Sequence, residues 1–357
     1  MCLRAFDGVI LAQMSESEAS AKHAELDAVD AGSLSWTPDP RASDGRELIH
    51  IPLEVDPAHA GYRLDRFLAG RFVRLSRTRI HKMIDDGRVR RASDGLRLIK
   101  ASLRVREGDA LIISRPAPDE PDVPLDYRVL HEDADLLVID KPAGLPVHPS
   151  ARYHHHTLTA VMRDRLGPDH GWEMAHRLDR ETSGVLVFGR RGTTGPAIKG
   201  SFFRREVAKD YLALVHGRFE GTREIDMPLG QAHDSKVLIK QGPRALDDEG
   251  LAALTRVEPV AYGSFRGEAI TLVCARPRTG RTHQIRVHLA EIGHGIVGDK
   301  LYGLDESHFL RIVEEGQPHS ELEARLGLGR HALHAVALTL PHPAGGGSVR
   351  FVAPWPS

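Results

Sequence analysis

The stretch His176-Arg-Leu-Asp-Arg-Glu-Thr-Ser-Gly184, followed directly by Val185-Leu-Val-Phe188, decides how the rest of this chain is interpreted. Its carboxylate, Asp179, lies close to Arg177 and Arg180, and nearby cations keep a carboxylate ionised and therefore usable as a nucleophile or base. The same arginines can bind phosphates. The apolar, β-branched run that follows predicts a buried strand, which would fix the preceding loop. We therefore expect an active loop in a cationic pocket suited to nucleic acid.

The overall composition is typical of a globular protein with more than one domain. The chain has 357 residues, of which 41% are hydrophobic and 27% are charged. It contains no long apolar run and its start has no signal-peptide core, so we expect a cytoplasmic location and no membrane partner. The two cysteines, Cys2 and Cys274, are too few for a disulfide framework or a zinc site.

Charge is distributed unevenly along the chain, although the net charge is only -1. Residues 1–47 contain nine acidic and four basic residues, whereas residues 62–106 contain fourteen Lys and Arg and four acids. The acidic segment lacks sustained apolar periodicity, so we expect residues 1–47 to be a disordered or poorly ordered extension. The basic segment predicts a module that binds nucleic acid.

Residues 48–115 contain this basic segment and are expected to form a small α+β domain. Apolar residues at helical spacing predict two short helices, one over Leu64 to Phe72 and one that begins after the N-cap Ser76 and stops at Gly87. Apolar positions from Val89 to Ile113 predict short strands after the helices.

This layout resembles the S-four-like, or alpha-L, RNA-binding module. A charged, solvated face on an unrelated helical hairpin is the alternative interpretation. A face that only confers solubility usually mixes charges of both signs, so the clustering of one sign favours phosphate binding. The residues expected to contact RNA are Arg77, Arg79, Lys82, Arg88 and Arg90.

The segment over residues 116–124 contains four prolines and three acids, which predicts an extended linker. Residues 125–357 then form a second domain, with strands expected at Asp135 to Asp140, Tyr211 to Val215 and Ala269 to Val273. Its strands and helices do not alternate in a regular βαβ order, which argues against a doubly wound parallel sheet. The predicted fold class is α+β.

Three segments of this second domain carry polar residues that a packed core would not require. They are the Asp179 loop, Lys209-Asp-Tyr211, and Thr279-Gly-Arg-Thr-His-Gln-Ile-Arg286. If the sheet brings them together, Asp179 meets a tyrosine and an arginine. The tyrosine ring can stack on a flipped pyrimidine and its hydroxyl can act as a weak general base, while the arginine can orient the carboxylate.

From about Leu125 to its end, the chain resembles the RluA family of pseudouridine synthases, including its large-subunit ribosomal RNA type. Five motifs in the order of the family carry the resemblance, and five in order are not explained by chance. They are Asp140-Lys-Pro-Ala-Gly-Leu-Pro-Val-His148, His176 to Gly184, Lys209-Asp-Tyr-Leu-Ala-Leu-Val-His-Gly217, Thr279 to His288, and Gly298-Asp-Lys-Leu-Tyr302.

The resemblance implies a role for each residue of the opening stretch and its partners. Asp179 would be the catalytic aspartate, Tyr211 the tyrosine that contacts the target base, and Arg286 the arginine paired with Asp179. Arg177 would enter the RNA stack where the uridine leaves. Arg180 would contribute phosphate binding or local charge. The implied fold has a mixed, mainly antiparallel central sheet crossed by an active-site cleft.

The implied reaction is the isomerisation of uridine in RNA to pseudouridine. Ribosomal RNA of the large subunit is the first expectation for the substrate and transfer RNA the second, with no obligate protein partner evident. Neither a redox step nor a metal-activated water is needed, so no metal or cofactor is expected. The route stays open: the aspartate attacks the base or the sugar, or stabilises a glycal route in which Tyr211 is a possible base.

Two other function classes remain possible at this point. One is a non-catalytic RNA-binding or ribosome-assembly protein on the same fold, which would not need an aspartate among phosphate-binding residues. The other is hydrolysis of a nucleoside by a carboxylate pair, Asp179 and Glu181. Two residues apart on one loop, these carboxylates would have difficulty flanking a sugar, so Glu181 is expected to make local polar contacts.

Two further features depart from the pattern or suggest a different site. The usual His-Pro before the Gly-Asp motif is His294-Gly295 here, so we expect a less rigid turn with unchanged chemistry. His154-His-His156 could suggest a metal site, but consecutive residues of an extended chain face alternate ways. An RNA contact or a plain polar loop is the preferred interpretation.

Overall fold

A computed structural model describes residue 41 and residues 45–72, 75–117, 119–150, 153–237, 239–315 and 319–355. The chain divides into two compact units. Unit 1 comprises residues 1–121 and 150–154, and unit 2 comprises residues 122–149 and 155–357. The poorly ordered extension expected over residues 1–47 lies outside the described residues, apart from Arg41 and residues 45–47.

Unit 1 contains a small antiparallel sheet and two helices. The strand order is β1-β3-β2, and the buried faces of the helices share one apolar core with it. As predicted, Ser76 caps the second helix, where its Oγ accepts a hydrogen bond from the N–H of Arg79. The elements are β1 (Leu48–Glu54), α1 (Leu64–Arg71), α2 (Arg77–Asp85), β2 (Val89–Arg91) and β3 (Ala110–Pro116).

The strands of unit 1 differ from the sequence prediction in two ways. Strand β1, which precedes both helices, was not predicted, although it pairs along its whole length with β3. Between β2 and β3 no strand is formed, and Leu96, Ile99 and Leu103 are exposed. Leu98 and Val105 of this segment are buried in the core and Ala101 packs against it, but the segment forms no strand.

Unit 2 is built on a ten-stranded sheet in the order β4-β5-β7-β14-β8-β13-β12-β9, with β15 added to β14 and β6 to β7. The strands are β4 (Arg128–Glu132), β5 (Leu136–Lys141), β6 (Trp172–Met174), β7 (Ser183–Arg190), β8 (Ala208–His216), β9 (Arg223–Asp226), β10 (Leu229–Gln231), β11 (Gln241–Pro243), β12 (Leu254–Phe265), β13 (Glu268–Pro277), β14 (Leu333–Pro341) and β15 (Ser348–Val352). The helices are α3 (Leu158–Leu166), α4 (Thr194–Phe203), α5 (Gln284–Glu291), α6 (Glu306–Glu315) and α7 (His319–Leu326).

The sheet is mixed and mainly antiparallel, which confirms the predicted α+β class. Among the described strands, β7 and β14 are the parallel pair, and the other ladders of the sheet run antiparallel. β10 and β11 form a separate antiparallel pair. No helix in the described ranges is long and apolar enough to cross a membrane.

The apolar run after the Asp179 loop forms β7, a strand at the centre of the sheet, and Val185 to Phe188 are buried as predicted. Gly184 allows the first residues of β7 to lie close to β14. Its φ is +114°, and a Cβ there would lie 2.2 Å from the carbonyl oxygen of Ala335. No larger residue fits without a backbone shift, so this glycine fixes where the Asp179 loop ends.

Candidate active site

The side chain of Arg286 joins two carboxylates from different segments. Its Nη1 donates to Asp179 Oδ2 over 2.9 Å, while Nε and Nη2 donate to the two oxygens of Asp299 over 2.7 and 3.0 Å. Arg286 is buried on α5, and Asp299 has no exposed surface. The backbone N–H groups of Leu301 and Tyr302 also donate to Asp299 Oδ1. Asp299 therefore holds Arg286 in the orientation that reaches Asp179.

Asp179 is ionised in this environment. Burial alone would raise the pKa of Asp179, but its electrostatic interactions with His283 and Arg286 and the hydrogen bond from Arg286 outweigh this effect, so the pKa lies well below its usual range. Burial lowers the pKa of His283 to about 4, which leaves its imidazole neutral at pH 7. Arg286 is therefore the cation that keeps Asp179 charged.

The two sequence neighbours of Asp179 do not hold its charge, contrary to the sequence interpretation. Arg177 is exposed and, within the described ranges, makes no ion pair. Arg180 Nη2 instead donates to Glu181 Oε1 over 2.8 Å. The cation at Asp179 comes from α5, more than 100 residues later in the chain, because adjacent residues of a tight loop point in different directions.

Tyr211 lies in the interior of β8 and packs against the apolar cluster that contains Leu178 and Ala335. Burial and the negative charge of Asp179 both raise the pKa of Tyr211 well above its usual range. The phenol is therefore neutral at physiological pH. A neutral phenol suits stacking on a base or donating a hydrogen bond, and it is a poor proton acceptor.

Glu181 makes polar contacts within the protein, as expected, and they reach segments that are distant in sequence. Its Oε1 accepts from Lys300 Nζ over 2.9 Å, and its Oε2 accepts from the backbone N–H of His331 over 3.3 Å. The side chain of His331 contacts Thr182 Oγ1 over 2.8 Å. A carboxylate that is buried and engaged in this way is not available as the second acid of a glycosidase pair.

Lys141 ties the turn after β5 to the Asp179 loop. Its buried Nζ donates to the carbonyl oxygens of Pro142, Leu145 and Arg180 over 2.8 to 3.1 Å. Burial lowers the pKa of Lys141 to about 7, while the charge of Asp179 acts in the opposite direction. Lys141 therefore helps to fix the Asp179 loop, and its charge also interacts with the Asp179 carboxylate.

The predicted RNA contacts of unit 1 fall into two groups. Arg77, Arg79 and Lys82 are exposed on α2, with Lys82 Nζ 3.6 Å from Asp86. Arg88 and Arg90 are less exposed, because both are half-buried. Arg88 pairs with Asp86 over 3.1 Å, and Arg90 Nη1 donates to the carbonyl oxygen of Gly95 over 3.2 Å. The exposed face of α2 is thus the more accessible basic surface.

Sequence reasoning assigned no role to Asp299 and Tyr302, which belong to the fifth motif. It included His283 and His288 only as members of the fourth motif. In the structure, His283 lies beside Asp179, whereas His288 is buried against Thr255 and Met227. The described residues contain no group of three or more His, Cys, Asp or Glu side chains suited to a metal ion.

Comparison with known proteins agrees with this geometry. A family model described as RNA pseudouridylate synthase matches residues 135–291. Ribosomal large subunit pseudouridine synthase D of Zymomonas mobilis is 33% identical over 311 residues, which cover 83% of this chain and 91% of that protein. The protein of the same name from Vibrio parahaemolyticus is 30% identical, over 85% of this chain and 90% of the relative.

A solved structure, that of human RNA pseudouridylate synthase domain containing 1, matches with a TM-score of 0.51 and 26% sequence identity. The match covers 66% of this chain and 86% of the human chain. The five ordered motifs, the mixed sheet and the extent of these matches lead to one identification. The chain belongs to the RluA family of RNA pseudouridine synthases, enzymes that isomerise uridine in RNA.

Proposed function

We propose that this enzyme modifies uridines of large-subunit ribosomal RNA and that Asp179 is its catalytic residue. The observation that carries the proposal for Asp179 is its hydrogen bond with Arg286, whose Nη1 lies 2.9 Å from Asp179 Oδ2. A partly buried carboxylate that remains ionised is ready to act on a flipped nucleotide. The choice of ribosomal RNA is supported by the names of the two relatives above, and it would place the protein in the cytoplasm.

The reaction exchanges one glycosidic bond for another without net oxidation or hydrolysis. The bond between N1 of uracil and C1′ of ribose breaks, the base turns, and a bond forms between C5 and C1′. C5 then loses its proton and N1 gains one. Asp179 can serve as nucleophile toward the base or the sugar, or as the base of a glycal route. The raised pKa of Tyr211 favours stacking over proton abstraction.

Arg177 is proposed to occupy the position in the RNA stack that the flipped uridine leaves. It is exposed, and it follows His176, whose imidazole stacks on Phe202 at a centroid distance of 4.7 Å. A guanidinium can stack on bases and bind phosphates, which offsets part of the cost of flipping. Arg180, which is paired with Glu181, is proposed to contribute local charge.

We further propose that residues 48–115 form an S-four-like RNA-binding domain, residues 116–124 a linker and residues 125–357 the catalytic domain. Arg77, Arg79 and Lys82 on α2 are proposed as its principal phosphate contacts, with Arg88 and Arg90 as secondary ones. Support comes from the excess of basic residues and from their exposure on one helix.

Replacing Arg77, Arg79 and Lys82 together with glutamine is expected to weaken binding of structured RNA and to flatten its dependence on salt. Each duplex phosphate contact that is lost should reduce the slope of log affinity against log salt concentration by about 0.9. The measurement is the dissociation constant at four or more salt concentrations.

A matched control replaces three exposed arginines of unit 2, Arg218, Arg223 and Arg256, with glutamine. This control removes the same charge from the full-length chain, and we expect it to change the slope by less than half as much. Equal slopes for the two triple variants would show that α2 is not the RNA-binding surface.

The substrate is tested by mapping pseudouridines in cells with and without the gene. Loss of pseudouridine from large-subunit ribosomal RNA upon deletion, and its return with the wild-type gene, is expected. Loss confined to transfer RNA would replace the proposed substrate. A purified protein that binds RNA but forms no pseudouridine would favour an assembly role, and release of free uracil would indicate hydrolysis.

A further inference from the structure

His283 has an unusual backbone conformation next to the active site. It directly precedes α5 with φ +57° and ψ 14°, in the left-handed region, although it is not a glycine. Non-glycine residues are held in this region only where the surrounding structure enforces it, and such residues cluster at functional sites. The conformation leaves the His283 side chain between Tyr302 and Asp179.

Tyr302 determines how the imidazole of His283 can be protonated. The Tyr302 hydroxyl oxygen accepts a hydrogen bond from the backbone N–H of Gln241 over 2.9 Å, and it lies 2.9 Å from His283 Nδ1. The hydroxyl can therefore donate its own proton to Nδ1. A neutral imidazole that accepts at Nδ1 carries its proton on Nε2.

The protonated nitrogen then faces the catalytic carboxylate. His283 Nε2 lies 3.9 Å from Asp179 Oδ2, the oxygen that also accepts from Arg286. The gap is longer than a hydrogen bond, yet a movement of less than 1 Å would close it, and catalytic hydrogen bonds often tighten only when substrate binds. Within the described residues, these contacts are made to Oδ2, and Oδ1 accepts no hydrogen bond.

We propose that His283 is a positioning residue that, together with Tyr302, directs an N–H toward Asp179 Oδ2 and so leaves Asp179 Oδ1 as the oxygen that reacts. Arg286 and His283 then both hold Oδ2, which prevents the oxygens from exchanging places during the reaction. The left-handed backbone at His283 aims the ring at Asp179. This inference rests on the proposed role of Asp179.

The first test removes the hydroxyl of Tyr302 while keeping its ring, which contacts His283 edge to face and lies 5.0 Å from the Arg286 guanidinium. Tyr302→Phe is expected to lower the single-turnover rate about 10- to 100-fold, less than loss of a donor that touches the reacting atoms does, with RNA affinity within about twofold. Tyr262→Phe is the matched control, because Tyr262 donates to the carbonyl oxygen of Phe219 and is half-exposed. It should retain the wild-type rate within about twofold.

The second test removes the imidazole without straining the backbone. His283→Gly accepts φ +57° freely, and we expect it to lower the rate about as much as Tyr302→Phe does. Because both side chains act through one hydrogen-bonded chain, the double variant should be no slower than the slower single variant. Added imidazole should restore part of the rate of His283→Gly, which a purely structural role would not allow.

The outcomes distinguish this inference from the proposed function. If wild type is active and His283→Gly matches its rate, the positioning role is wrong. The role is also wrong if the rate losses of His283→Gly and Tyr302→Phe multiply in the double variant and imidazole restores no activity. If His283→Gly does not fold, Tyr302→Phe decides: a wild-type rate there also overturns the role. If wild type forms no pseudouridine in RNA that binds it, the proposed function is wrong and the inference falls with it.

Discussion

The Asp179→Asn variant is expected to form no detectable pseudouridine while binding RNA within a few fold of wild type. The change removes the negative charge but almost no volume, and the amide oxygen can still accept the hydrogen bond from Arg286. A nucleophile or base is lost, so the rate should fall at least about 1,000-fold, which corresponds to about 4 kcal/mol of transition-state stabilisation.

The measurement is release of tritium from uridine labelled at C5, because C5 loses its hydrogen when the new glycosidic bond forms. Asp210→Asn is the matched control. Asp210 is also a carboxylate between arginines, with Arg276 Nε at 2.9 Å and Arg350 Nη2 at 2.7 Å, and it lies next to Tyr211 on β8. It should release tritium at nearly the wild-type rate.

Tritium release by purified Asp179→Asn at more than a few per cent of the wild-type rate would remove Asp179 from the proposed mechanism. Loss of RNA binding in the same variant would point to a damaged loop instead. Affinity and rate therefore have to be measured on the same preparation, together with the thermal unfolding midpoint.

The sequence predicted several strands of unit 2 because their signals are local. The run Val185 to Phe188 is apolar and β-branched, and it forms a buried central strand. The strand predicted at Tyr211 to Val215 lies within β8, and that at Ala269 to Val273 lies within β13. All three runs are rich in apolar residues, which is a local signal that a single sequence provides.

Contacts between segments that are distant in sequence could not be predicted from such local patterns. Arg177 and Arg180 were favoured as the cations of Asp179 because they are close in sequence, whereas the contact is made by Arg286. The dependence of Arg286 on Asp299 requires knowing that α5 and the segment after it meet at the same point. The Gly298 to Tyr302 motif was recognised, but its role depends on this three-dimensional arrangement.

Local patterns of apolar residues also led to wrong strand predictions in unit 1. Leu96, Ile99 and Leu103 are spaced among basic residues in a way that predicted strands, yet they are exposed. Strand β1 was missed because it pairs with β3, about sixty residues later, and nothing near it in sequence indicates that partner. Register between distant strands is a tertiary property, which sequence alternation alone does not specify.

Replacing Arg286 with methionine is expected to affect stability and catalysis together. Methionine has a similar length, but it leaves the buried carboxylate of Asp299 without its two hydrogen bonds from the guanidinium. Removing one partner of a buried ion pair typically costs about 3 to 5 kcal/mol of unfolding free energy. Asp179 also loses its donor, so we expect the rate to fall at least about 100-fold.

The effect of the two carboxyl groups on the pH dependence of stability should have opposite signs in Arg286→Met and in wild type. In wild type, Arg286 holds the pKa values of Asp179 and Asp299 below their usual range, so their contribution is present above about pH 4 and is lost as the pH falls. Without Arg286, burial raises the pKa of both carboxyl groups. Arg286→Met should therefore lose stability relative to wild type as the pH rises above about 4.

The double variant Arg286→Met, Asp299→Asn separates the two effects. It removes the buried charge of Asp299 along with the cation, so we expect it to recover part of the lost unfolding free energy at pH 8 while remaining as inactive as Arg286→Met. Urea unfolding at pH 5 and pH 8 measures both variants against wild type. If the loss for Arg286→Met is the same at both pH values and Asp299→Asn restores nothing, the buried carboxylates are not what Arg286 stabilises. Its role would then be confined to the hydrogen bond with Asp179.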